Sequence, residues 1–109
     1  MSGVSNAELQ AMLDELVHCF RAAHGQTVRR QSPHLTDAEV TAQTETALTE
    51  ALRAAKVHPE ALNVEMLWDL FLFMQKTAIV SRRDVEMYAA NVEAMNRKLR
   101  ELECRARGC

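Results

Sequence analysis

Glycine, proline, cysteine and aromatic residues are all scarce in this chain of 109 residues, which holds three Gly, two Pro, three Cys, one Trp, one Tyr and three Phe. So few Gly and Pro, against 48% apolar residues, exclude a collagen-like or disordered chain. Cys19, Cys104 and Cys109 are odd in number and form no C-x-x-C pair. A disulfide framework is not expected, and a reducing, intracellular compartment follows, with the cytoplasm as the default. Charge of one sign is missing as well: the formal net charge is −2. That excludes a strongly basic protein that holds nucleic acid by bulk electrostatics. Long uncharged apolar runs are absent too. The most apolar window, Ala61 to Val80, is broken by Glu65, Asp69 and Lys76, so no membrane span is expected. Met1 to Gln10 lacks a basic stretch and an apolar run, so no secretory signal is expected either.

What the chain does contain is helix formers, with helix-start signals in front of them. Ser5-Asn6-Ala7-Glu8 reads as a capping box, with Val4 and Leu9 placed as a hydrophobic staple. Thr36-Asp37-Ala38-Glu39 repeats it, with Leu35 and Val40 as the staple. Ser81-Arg82-Arg83-Asp84 is a weaker third, between Val80 and Val85. Pro59 marks a fourth start, since its missing N–H has no partner in a first turn. Gly25 reads as a left-handed stop after His24, and Pro59 disfavours helix at His58. The spacing predicts helices over 6–24, 37–56, 60–77 and 82–105, with a loop from Gln26 to His34. The fold class expected is all-α: a single domain over 1–109, bundle-like, with a long C-terminal helix of coiled-coil character.

Each predicted helix carries an apolar face. The first aligns Leu9, Met12, Leu13, Leu16, Phe20 and Ala23; the second aligns Val40, Ala47, Leu48, Ala51, Leu52 and Ala55. The third is apolar nearly all round, including Trp68, Phe71, Leu72, Phe73 and Met74, and is expected at the centre. In the fourth, Val85, Tyr88, Val92, Met95, Leu99 and Leu102 follow the alternating 3–4 spacing of coiled-coil a and d positions. Lys98 then falls at g and Glu103 at e, as for an interchain ion pair. The same stripe could instead pack back on the first three helices of its own chain.

Chemistry is harder to find. His18, His24, His34 and His58 are scattered with no metal-binding spacing. His18 reads as a boundary residue, His24 as a partner for a helix C-terminus, and His34 as a loop residue. Cys19 reads as a small core residue, and no base stands beside it in sequence. With glycines only at 3, 25 and 108, there is no phosphate-binding loop. No enzyme, metal or cofactor is therefore expected. Residues 97–109 hold Arg97, Lys98, Arg100, Arg105 and Arg107 against Glu101 and Glu103. These five are candidate phosphate contacts, but no aromatic residue is interleaved to stack on bases.

The stretch Ala78 to Val85 resembles the last loop and short helix of histone-fold domains, and Val57 to Leu62 resembles the opening of their central helix. The likeness covers about 30 residues. Helix lengths differ from that fold, in which the central helix is longer and the last shorter, so it implies no function here. The expectation is a non-enzymatic helical interaction module: a scaffold, adaptor or regulatory subunit that pairs with itself or with another helical protein. Phe71, Phe73, Met74, Tyr88, Val92, Met95, Leu99 and Leu102 are the candidate contact residues. The alternative is a small nucleic-acid-associated dimer using the basic C-terminal segment.

Overall fold

The structure, a computed structural model, describes residues 4–78 and 82–108, with side chains for all of these except 77–90. Among the described residues the chain is all-helical: α1 (Asn6–Gln31), α2 (Asp37–Ala54), a 3₁₀ turn (Pro59–Ala61), α3 (Val64–Ala78) and α4 (Arg82–Ala106). The expected cap at Ser81 lies outside the described residues.

Two of the expected starts form as read. The Ser5 hydroxyl accepts from the Glu8 N–H at 3.2 Å. At Thr36 the box is complete: its hydroxyl accepts from the Glu39 N–H at 3.2 Å, and the Glu39 carboxylate accepts from the Thr36 N–H at 3.1 Å. The Thr36 N–H foremost, and the Thr36 hydroxyl, which donates to the same carboxylate at 3.0 Å, lower the pKa of Glu39.

Helix one does not stop at Gly25. It continues to Gln31, and the expected loop shrinks to the residues between Gln31 and Asp37. Gly25 takes no left-handed backbone angle, since glycine permits that conformation without requiring it. Thr27 and Val28, placed in the loop by sequence, are buried. Pro33 supplies the real stop, because it disfavours helical geometry at Ser32; the Ser32 N–H closes the helix on the Val28 carbonyl at 2.9 Å.

The end of α2 is a Schellman motif with lysine where glycine is usual. Lys56 has φ 54°. Its N–H donates to the Arg53 carbonyl at 3.1 Å, and the Val57 N–H donates to the Leu52 carbonyl at 3.0 Å. Pro59 then opens only the 3₁₀ turn. Helix three starts at Val64 rather than 60, and the Asn63 side chain accepts from the Met66 N–H at 2.9 Å, as a helix cap does. The span Val57 to Leu62 thus does not open a long central helix.

Helices α1 and α3 each lie against both α2 and α4. Ion pairs fix the directions. Arg21 meets Glu45 and Arg29 meets Asp37, so α2 runs antiparallel to α1. Glu15 meets Lys98 and Glu8 meets Arg105, so α4 runs antiparallel to α1 as well. The result is bundle-like and elongated. Its radius of gyration is 14.7 Å, against about 13 Å for a compact chain of this length. One core joins Leu16 and Phe20 of α1, Leu48 and Ala51 of α2, Leu67, Leu70 and Met74 of α3, and Leu99 of α4. Helix three is not covered on every side: Glu65, Asp69, Leu72, Phe73 and Lys76 face solvent.

Candidate functional site

The side chains singled out from the sequence divide into two groups. Phe71, Met74, Met95, Leu99 and Leu102 are buried in the chain's own core, and Val92 is packed against it half-buried. The described part of the α4 stripe therefore packs back on its own chain, the second of the two arrangements the spacing allows. Tyr88 lies outside the residues whose side chains are described. Phe73 alone of the remaining candidates is exposed, at 38%.

The neighbour of Phe73, Leu72, is 52% exposed. The sequence places Leu72 in an apolar run, Phe71 to Met74, that spans almost a full turn, and does not single it out from its neighbours. A signal was present all the same: Leu72 shares a face with Asp69 and Lys76, three before and four after it. Half-buried Trp68 stands on the edge of the same face, its ring edge-on to Phe71 with centroids 6.0 Å apart. Among the described residues the Trp68 indole nitrogen has no hydrogen-bond partner. The surface so formed is an apolar spot of Leu72 and Phe73, ringed by Trp68, Asp69 and Lys76.

The basic residues of α4 are placed differently from a phosphate-binding row. Arg105 holds the Glu8 carboxylate, and Lys98 holds Glu15 on α1. Arg97 pairs with Glu93, and Arg107 with Glu103, one turn away in each case. The Arg105 guanidinium lowers the pKa of Glu8 and has its own raised in turn. Only Arg100 among the five has no ion pair among the described residues. Lys98, placed at g for an interchain bridge to Glu103, serves an intrachain one to Glu15.

Two further features are polar. His24, expected at a helix end, sits inside α1, stacked on Phe20 with ring centroids 5.2 Å apart. Burial lowers its pKa. A groove of about 290 Å³ between α1 and α2 is lined by Arg21, Gly25, Arg29, Thr41 and Glu45. Its two arginines are engaged by Glu45 and Asp37, which leaves the groove without an uncommitted charge of that kind.

Cys19 is half-buried beside the core. Burial pushes its thiol up, the Glu15 carboxylate adds to this, and Lys98 opposes it. A nucleophilic cysteine needs the reverse environment. Among the described residues, no three His, Cys, Asp or Glu side chains gather where they could hold a metal ion. Nor is any helix among them long and apolar enough to cross a membrane. Compared with known proteins, the chain matches no family model, no curated protein and no solved structure.

Proposed function

We propose that the chain is a non-enzymatic helical interaction module, a scaffold, adaptor or regulatory subunit that associates with itself. The observation that carries this reading is the exposure of Leu72 and Phe73, at 52% and 38%, on a helix whose Leu67, Leu70, Phe71 and Met74 are buried in the core. Solvent-facing apolar side chains placed together and rimmed by charge are what association surfaces offer. The coiled-coil character of α4 enters this proposal as the seam that seats the helix on its own bundle, and among the described residues the exposed large apolar side chains belong to α3. The nucleic-acid reading has less support, because four of its five phosphate contacts are committed to carboxylates.

The test is the absolute mass in solution, by light scattering after gel filtration, for the full chain and for the pair Leu72→Asp with Phe73→Asp. The expected result is two or more chains for the parent and one for the variant, with unchanged circular dichroism. A single chain of 12.3 kDa at every concentration overturns self-association. Steeply salt-dependent binding to a labelled DNA duplex, weakened by Arg105→Ala, would move the assignment to the nucleic-acid reading.

A further inference from the structure

We infer that the occupant of the α3 face is a second copy of this chain, docked antiparallel about a two-fold axis beside Leu72 and Phe73. The inference rests on the self-association reading above and adds the surface, the direction and the charges. The face reads Asp69, Leu72, Phe73, Lys76: acid, apolar centre, base. Asp69 and Lys76 are two helical turns apart, about 10 Å, so they are not side-chain neighbours on one helix as residues three or four apart are. A second α3 running the opposite way, with the axis at the apolar pair, places each Asp69 opposite the Lys76 of the other copy. A parallel partner would set acid beside acid and base beside base. Lys76, in the last turn, also complements the helix dipole, and the order of charge makes the face self-complementary in one direction alone. An isologous two-fold interface requires that property. Apolar residues then fill the centre and ion pairs its rim, the usual division of an interface.

Charge reversal tests this with the full chain. Asp69, Leu72 and Lys76 are exposed, so their replacement leaves the core intact, and thermal melts followed by circular dichroism verify it. Sedimentation velocity over a concentration series gives the dimer constant. Asp69→Lys alone and Lys76→Asp alone each place like charges together twice across the axis, and each is expected to weaken the dimer roughly tenfold. The double variant, Asp69→Lys with Lys76→Asp, restores opposite charges and is expected to return it to within about threefold of the parent. Leu72→Asp abolishes it. Recovery in the double variant supports the antiparallel docking, since the two residues are too far apart to compensate within one helix. A dimer indifferent to both single reversals overturns the docking but leaves self-association standing. A dimer lost in Leu72→Asp and not recovered in the double variant overturns the direction while keeping the face. A monomer at all concentrations overturns both this inference and the reading it rests on.

Discussion

The imidazole of His24 and the hydroxyl of Thr44 meet at 3.1 Å across the seam between α1 and α2. Thr44 is buried and His24 half-buried. Gly25, beside the histidine, faces α2 with room to spare: a methyl group built on it would stand 4.0 Å from the Thr44 hydroxyl and from Val40.

The burial of His24 is expected to give the fold a pH dependence. Burial lowers the pKa of His24 in the folded chain, so the unfolded chain binds its proton more readily. The contribution of neutral His24 is complete above the unfolded value of about 6.5 and is lost as pH falls below it toward the folded value. Urea unfolding at a series of pH values is expected to show stability declining in that window for the parent. His24→Gln keeps a polar partner for Thr44 and should flatten the decline there. An equal slope in both proteins would remove His24 as its source.

Gly25→Ala is expected to raise stability by about 0.5–1 kcal/mol, the ordinary cost of glycine inside a helix. The sign follows from space, because the added methyl meets its neighbours at van der Waals distance rather than in a clash. Denaturant midpoints at constant slope measure it.

Lys56→Gly is the reciprocal change. Lysine at φ 54° bears a steric cost of about 1–2 kcal/mol that glycine escapes, and glycine gives back part of this through its freer unfolded chain. A net gain of about 0.5–1 kcal/mol is expected, again from the denaturant midpoint.

Leu99 is wholly buried. Leu99→Ala should therefore cost about 2–5 kcal/mol, a large part of a typical stability of about 5–15 kcal/mol. Calorimetry or urea unfolding checks this. Leu99→Asp, which the heptad spacing suggests as a probe of association, would instead unfold the chain by burying an unpaired charge. A folded Leu99→Asp protein would show that the α4 seam is not part of the core.

These residues also mark where the sequence could and could not be read. Ser5 and Thr36 were legible because a capping box is complete within four residues, and its hydrogen bonds need no distant partner. Gly25 and Lys56 were not, since left-handed geometry is decided by what packs around the turn. A glycine in a helix well paired on both sides stays helical, and a lysine held by the Val57 and Leu52 backbone adopts the glycine conformation. Asn63 was a readable cap overshadowed by Pro59, four residues earlier. The heptad stripe gave the buried face of α4 correctly at Met95, Leu99 and Leu102, yet spacing alone says nothing about whose chain does the burying. Leu72 was hidden by its apolar neighbours, although its place on the wheel beside Asp69 set it apart.

The antiparallel arrangement of α1 with both flanking helices has a consequence for the order in which the chain assembles. Arg21 and Glu45 are 24 residues apart, whereas Glu8 and Arg105 are 97 apart. Closing the fourfold longer loop costs about 1.2 kcal/mol more in chain entropy. The second half of α1 thus acquires its partner early, from the adjacent α2. Its first half, with Leu9, Met12 and Leu13, waits for Leu99 and Leu102. On a ribosome, where the N-terminal end emerges first, that apolar stretch stays incompletely covered until nearly the last residue of α4 has been added.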